Sequence, residues 1–130
     1  MILDTTFLID LMRGDEDAVE KAAELELQGR QQRLSSMTVF ELSYGIARSN
    51  QPERERRLVE DVLASKPVQP ADTAVMRKAG RLAGTLSADG RPVGDSDAII
   101  GATADVVDEP VLTRNVADFE RLEDVSVETY

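Results

Sequence analysis

Short apolar runs alternate with longer helical segments along the whole chain, and this alternation limits the possible folds more than any other feature. The runs typical of strands lie at residues 1–4, 33–37, 110–113 and 125–129. Residues 66–70 form a short connection or an edge strand, because their two prolines exclude a central position. Strands separated by helices indicate an α/β fold with parallel strands and right-handed crossovers. The sequence therefore predicts a three-layer α/β/α sandwich with a short parallel central sheet and Rossmann-like topology, as a single domain over residues 1–130.

Helix-start and helix-stop residues set the limits of the segments between the strands. Gly14 and Gly29 are expected to end the first two helices, and Thr38 is expected to cap the third. Pro52 is expected to open the fourth helix. The predicted helices cover residues 5–12, 15–29, 39–48, 52–64, 73–88 and 95–106.

The chain contains no histidine and no cysteine, which narrows the chemistry available to it. Disulfides and thiol nucleophiles are excluded, and a chain without them fits a reducing cytosol. No apolar run approaches the roughly 20 residues of a membrane helix, and the first residues lack the basic segment of a signal peptide. We therefore expect a cytoplasmic protein without a membrane partner.

The net charge of −10 disfavours a nucleic-acid partner at ordinary ionic strength, because an acidic surface repels phosphates. High salt weakens this repulsion, since the Debye length falls to about 3 Å at 1 M. A salt-adapted cytosolic protein with a solvated acidic surface is favoured over a protein with a specific basic partner.

Acidic or amide residues stand beside apolar runs at four places spread along the chain. They are Asp4, Glu41, Asp97 and the pair formed by Asn115 and Asp118. Unpaired carboxylates are costly to bury, so four such positions directed at one core suggest a shared cation. In the absence of histidine and cysteine the ligands must be oxygen atoms, which favours Mg²⁺ or Mn²⁺ over zinc or an iron–sulfur cluster.

Each of these positions also has a purely structural explanation. Asp4 could cap the helix that follows it, Asp97 could compensate a helix dipole, and Asn115 could make an Asx turn. Gly45 and Gly101 each follow a helical carboxylate by four residues. They predict open space for a hydrated cation and a phosphate, or else a tight helix–helix contact.

Four segments together resemble the PIN domain family, and more narrowly the VapC-type toxin nucleases. The segments are LDTTFLIDLMRG, TVFELSYGI, DAIIGATA and LTRNVADF, in the family's order and over nearly the whole chain. The resemblance implies a PIN-like fold and a Mg²⁺- or Mn²⁺-dependent endoribonuclease that hydrolyses RNA, with Asp4, Glu41 and Asp97 as its acidic core. It also implies the toxin of a type II toxin–antitoxin pair, with a VapB-type antitoxin as partner and a homodimer as the assembly.

Asn115 departs from the family pattern, because many PIN nucleases carry a fourth acid at this position. Asp118 could compensate for the missing acid, or the site could hold a single ion until RNA supplies phosphate oxygens. We expect both residues to assist catalysis from outside the direct metal ligands. The alternative function is a catalytically impaired PIN-like domain that binds RNA or a partner.

The absence of an obvious protein nucleophile favours water activated on a metal ion. We interpret Asp4 and Asp97 as the residues that hold the main ion, and Glu41 as the ligand that positions the attacking water. Thr6 and Thr113 are expected to orient the carboxylates through hydrogen bonds.

Arginine-rich segments are the candidates for holding RNA, although such residues often form ion pairs on helix surfaces. The candidates are Arg30 and Arg33, which flank the second strand, and a group around one connection, Arg48, Arg54, Arg56 and Arg57. With three Phe and two Tyr in the chain, base stacking is not supported. Recognition by shape and phosphate is expected instead.

Overall fold

Five two-residue strands form the centre of the molecule in the computed structural model, which describes all 130 residues. The strands are β1 (Ile2–Leu3), β2 (Leu34–Ser35), β3 (Val68–Gln69), β4 (Val111–Leu112) and β5 (Val127–Glu128). All of the strand pairs are parallel: β1 pairs with β4, β4 with β5, and β2 with β3. A parallel bridge from Ile2 to Arg33 joins the two groups in the order β3-β2-β1-β4-β5. The predicted short parallel sheet is confirmed.

Seven helices connect and cover these strands. They are α1 (Thr5–Met12), α2 (Glu16–Leu27), α3 (Ser36–Arg48), α4 (Pro52–Ser65), α5 (Thr73–Ala88), α6 (Asp95–Val106) and α7 (Val116–Glu120). Gly14 and Gly29 follow α1 and α2 with φ of 75° and 64°, a backbone region that glycine enters without strain. None of the helices combines the length and the apolar character needed to cross a membrane.

One helix start was predicted wrongly, and one short helix was not predicted. The third helix begins before Thr38, because the Ser35 hydroxyl accepts a hydrogen bond from the Met37 backbone N–H at 3.1 Å and caps the helix itself. Thr38 is instead buried inside the first turn of α3. The short helix α7 was not among the predicted helices, and one buried side chain, Phe119, fixes it against the core.

The two faces of the sheet are covered by different helices, which produces the predicted three layers. Ile2 and Val111 face a core built with α5, α6 and α7. The next residues along each strand, Leu3 and Leu112, face a second core built with α1, α2, α3 and α4. Successive strand residues point to opposite faces, so even two-residue strands serve both cores.

The carboxyl ends of the strands all lie at one edge of the sheet, because the strands are parallel. Asp4 follows β1 directly, and Thr113 follows β4 directly. Since β1 and β4 are hydrogen-bonded neighbours, these two polar residues meet at the same edge. Ligands of open α/β sheets bind at this edge, and the acidic residues are found there.

Candidate active site

Asp4 is the most buried carboxylate in the molecule, with 3% of its surface exposed. The hydroxyls of Thr6 and Thr113 both donate hydrogen bonds to Asp4 Oδ2, each at 2.7 Å. The side chain makes no capping bond to α1, so the helix-cap explanation is wrong. Burial raises the pKa of Asp4 above its ordinary value, although the threonine hydrogen bonds oppose that rise.

Glu41 projects from α3 towards the start of α1. The Thr5 hydroxyl donates a hydrogen bond to Glu41 Oε1 at 2.7 Å and lies 3.0 Å from the Thr38 hydroxyl. Thr5 is adjacent to Asp4 in the chain, so a short polar network connects the two carboxylates. The sequence carries no local signal for the Thr5–Thr38 contact, because it joins residues on different helices.

Asp97 lies in the first turn of α6 and has no hydrogen-bond donor or cation bonded to its side chain. The pKa of Asp97 is raised to about 6. Burial is the largest cause, and the negative charges of Asp4, Asp118 and Glu41 add to it. Asp97 is therefore surrounded by negative charge, which the more distant charge of Arg121 offsets only in part. The carboxylates from four separate parts of the chain influence one another at this edge of the sheet.

Asn115 and Asp118 occupy the fourth side of this acidic group, at the start of α7. The backbone N–H of Asn115 donates to the Thr113 hydroxyl at 2.9 Å, so Thr113 makes the turn that Asn115 was considered for. The Asn115 side chain makes no capping bond and its residue is exposed. Asp118 Oδ1 accepts a hydrogen bond from Arg121 Nη2 at 2.7 Å. The only signal of this pair in the sequence is the spacing of three residues between an acid and a base on one helix.

Arg114 fixes the loop that carries Thr113 and Asn115. Its guanidinium lies 3.1 Å from Asp15 Oδ1 and 3.5 Å from Asp10 Oδ2, and it stacks 4.5 Å above the ring of Tyr130. Tyr130 in turn donates a hydrogen bond to Asp10 Oδ2 at 2.6 Å. These contacts tie the loop after β4 to α1 and α2, which limits the positions available to Asn115.

The donor set is consistent with a divalent cation. In this structure no three acidic side chains lie close enough together to bind one metal ion at the same time. The residues nevertheless present only oxygen donors, and Asp4 Oδ1 accepts no side-chain hydrogen bond while Asp97 accepts none at all. Uncompensated carboxylates of this kind are the ligands that Mg²⁺ and Mn²⁺ prefer, and a cation would relieve their mutual repulsion.

Gly45 and Gly101 have different roles, and the predicted open space is found at only one of them. A Cβ atom on Gly101 would lie 2.5 Å from Leu122 Cδ1 and 3.5 Å from Val125 Cγ2, so this glycine allows a tight contact with the segment after α7. It does not clear space for a cation. A Cβ atom on Gly45 would meet nothing within 4 Å, which agrees with open space on that face of α3.

We expect opposite effects from alanine at these two glycines. Gly101→Ala forces the buried Leu122 out of position, and the free energy of unfolding should fall by about 1 kcal/mol, after a partial offset from better helix propensity. Gly45→Ala gains helix propensity without a clash and should raise the free energy of unfolding by up to about 1 kcal/mol. Urea unfolding of the two variants measures both. Equal stability of the variants would contradict the packing role of Gly101.

An apolar cavity of about 280 Å³ opens beside Glu41. Its lining consists of Thr5, Ile9, Met37, Phe40, Glu41 and Tyr44. The rings of Phe40 and Tyr44 stack with centroids 6.5 Å apart and are more than half exposed. Phe7, in contrast, is fully buried and packs against Tyr130. The exposed aromatic pair thus lines the same cavity as Glu41.

Comparison with known proteins gives consistent matches in sequence and structure. Residues 1–125 match the PIN domain family. The chain is 31% identical over 121 residues to the tRNA(fMet)-specific endonuclease VapC of Shigella flexneri, covering 93% of this chain and 90% of that protein. It is 32% identical over 124 residues to ribonuclease VapC19 of Mycobacterium tuberculosis, covering 95% of both. Its fold superimposes on the DNA-bound VapBC of Salmonella typhimurium with a TM-score of 0.87 and 29% identity, over 98% of this chain and 96% of that chain.

Proposed function

The chain belongs to the PIN domain family, and within it to the VapC ribonucleases, and we propose that it is a metal-dependent endoribonuclease that hydrolyses phosphodiester bonds in RNA. The observation that carries this proposal is the group formed by Asp4, Glu41 and Asp97 at the carboxyl edge of the sheet. Burial and neighbouring carboxylates raise the pKa of Asp97 there, and no basic side chain is bonded to it. Such a group is unfavourable unless a cation or a substrate compensates it.

We assign the divalent ion to Asp4 and Asp97, with Glu41 as the third metal-binding residue, and we propose Mg²⁺ or Mn²⁺ as its identity. A bound ion of this kind supplies charge neutralisation at the phosphate and lowers the pKa of a coordinated water. Asn115 and Asp118 stand beside these three residues and assist from the edge of the site. Asp118 is already paired with Arg121 at 2.7 Å, which suits a supporting role better than direct metal binding.

The chain's own side chains orient the reacting groups. Thr6 and Thr113 hold Oδ2 of Asp4 from two sides, which leaves Oδ1 free for the ion. Thr5 holds Oε1 of Glu41, so the other oxygen of this carboxylate can accept a proton of the attacking water. Groups fixed in this way before substrate arrives need little rearrangement during the reaction.

The biological setting follows the family. We propose that residues 1–130 act as a single PIN-like domain, as the cytoplasmic toxin of a type II toxin–antitoxin pair. Solved relatives such as the Salmonella complex contain VapB together with VapC, which supports a VapB-type antitoxin as the partner of this chain. A homodimer is also proposed, and the exposed Phe40 and Tyr44 rings are a surface that an assembly of either kind could cover.

Cleavage of RNA in the presence of a divalent ion tests the proposed activity. We expect the purified chain to cut RNA with Mg²⁺ or Mn²⁺ and to stop when a chelator removes the ion, because the carboxylates alone supply no nucleophile. The first substrate to test is initiator tRNA, since the Shigella relative is named as specific for it. The assay should include high salt, which screens the net charge of −10. Cleavage that persists unchanged after chelation would contradict the metal assignment.

A catalytically impaired domain that binds RNA or a partner is the alternative function. Asn115 favours it, because this side chain carries no charge where many relatives have an acid, and Asp118 is engaged by Arg121. Calorimetric titration with Mn²⁺, followed by the cleavage assay, separates the two functions. Metal binding with no cleavage of any tested RNA would support the alternative.

A further inference from the structure

We propose that a cationic cavity beside the acidic group binds the phosphodiester backbone of the RNA; this inference rests on the proposed nuclease function. The cavity has a volume of about 390 Å³ and lies between α5, the turn after it and the segment that follows α7. Its charged lining consists of four cations and two acids, namely Lys78, Arg81, Arg91, Arg121, Asp89 and Glu123. An excess of positive charge in one cavity is unexpected on a chain with a net charge of −10.

Two of the four cations are free to bind a ligand. Arg81 and Arg91 are exposed, and neither forms an ion pair within 4.0 Å or a side-chain hydrogen bond. Lys78, in contrast, is paired with Asp105 at 3.2 Å and with Asp124 at 3.6 Å. The free guanidinium groups carry a planar set of donors that matches the oxygens of a phosphate.

Arg121 connects this cavity to the acidic group. Its Nη2 donates to Asp118 Oδ1 at 2.7 Å, and its Nη1 donates to the backbone carbonyl of Pro92 at 3.0 Å. Pro92 directly follows Arg91, so the same side chain anchors the turn that carries one free cation. A strand bound at the carboxylates can therefore continue into the cationic cavity.

Two of the arginines suggested by the sequence are already paired with acidic side chains. Arg30 forms a two-pronged ion pair with Glu128 at 2.8 Å and 3.0 Å, and Arg33 lies 3.5 Å from Glu109. These side chains already satisfy acidic partners at the sheet. Arg57 makes only a long contact, at 3.4 Å, with a backbone carbonyl of its own helix. That helix, α4, packs on the face of the sheet opposite to α5.

The salt dependence of RNA binding tests the proposed site. The probe is a fluorescently labelled single-stranded RNA, and every protein carries Asp4→Asn so that the probe stays intact. Arg81→Gln/Arg91→Gln is expected to weaken binding about tenfold at low salt and to reduce the log–log salt slope by about 0.7 for each lost phosphate contact. The matched control is Arg13→Gln/Lys66→Gln, which removes two positive charges that form no ion pair and lie outside this cavity, at the ends of α1 and α4. The control should leave the slope unchanged.

Other outcomes have distinct meanings. An unchanged slope in Arg81→Gln/Arg91→Gln, or an equal decrease in the control pair, would overturn the proposed site, because net charge alone would then explain binding. Loss of a dimer in gel filtration with an unchanged slope would also overturn it and would make this face an interface between copies. If the unmodified chain neither binds nor cleaves RNA, the proposed function itself fails and the cavity proposal fails with it.

Discussion

Asp4→Asn is expected to reduce the rate of RNA cleavage by about a thousandfold or more. Asp4 is the proposed metal ligand with the most hydrogen bonds, since Thr6 and Thr113 both donate to Oδ2 while Oδ1 accepts no side-chain hydrogen bond. Charge stabilisation by a bound metal contributes several kcal/mol to such reactions, and about 4 kcal/mol corresponds to a thousandfold in rate. An amide at this position keeps the shape of the side chain but removes its charge. Single-turnover cleavage of an end-labelled RNA with saturating Mg²⁺ measures the loss.

Folding of the Asp4→Asn variant must be followed at the same time. We expect its thermal unfolding to be unchanged or shifted upwards, because burial and the charge of Glu41 both disfavour the ionised carboxyl. Asp95→Asn is the matched control, since Asp95 begins α6 on the exposed surface and its side chain forms no hydrogen bond or ion pair. That control should cleave at the normal rate. An Asp4→Asn protein that cleaves RNA normally would remove Asp4 from the proposed mechanism.

Local sequence signals were sufficient for most of the fold. Strand–helix alternation predicted the parallel three-layer arrangement, and Gly14 and Gly29 marked two helix ends because both residues need positive φ. The signal failed where a tertiary contact decides the structure. Phe119 stabilises α7 by entering the core, and a five-residue helix has little stability of its own. Ser35 rather than Thr38 caps α3, although both residue types are good caps.

The candidate site shows the same division between local and long-range information. Asp4, Glu41 and Asp97 could be proposed from their position beside apolar runs, since a buried carboxylate is unusual wherever it occurs. The contact between Thr5 and Glu41 and the cavity around Arg81 depend on which helices become neighbours, and no spacing along the chain encodes that. Gly101 illustrates the risk of a local argument, because its spacing from Asp97 suggested a binding function and its surroundings show packing.

Removal of the Asp97 charge is expected to stabilise the metal-free protein in a pH-dependent way. The pKa of this carboxyl is about 6 in the folded protein and has an ordinary value of 3.8 when unfolded. Below pH 3.8 the carboxyl is protonated in both the folded and the unfolded state, so it does not lower the free energy of unfolding. As the pH rises towards 6 the unfolded chain releases its proton first, so the folded state loses stability, and above 6 the full cost remains. Asp97→Asn should therefore raise the free energy of unfolding by about 1–2 kcal/mol at pH 8 and by almost nothing at pH 3.5. The value at pH 8 allows for solvent screening and for the lost interaction with the helix dipole.

Divalent ions should reverse this advantage, because an ion that binds only the folded state stabilises it by about 2.7 kcal/mol at a hundred times its dissociation constant. In unfolding experiments at pH 8, Mg²⁺ or Mn²⁺ is expected to raise the melting temperature of the unmodified chain and to have a much smaller effect on Asp97→Asn. Asp95→Asn again serves as the control, since it removes one charge from the same helix at an exposed position. A stability difference that stays constant between pH 3.5 and pH 8 would contradict the raised pKa of Asp97. Equal stabilisation of both proteins by the ion would contradict its place among the metal ligands.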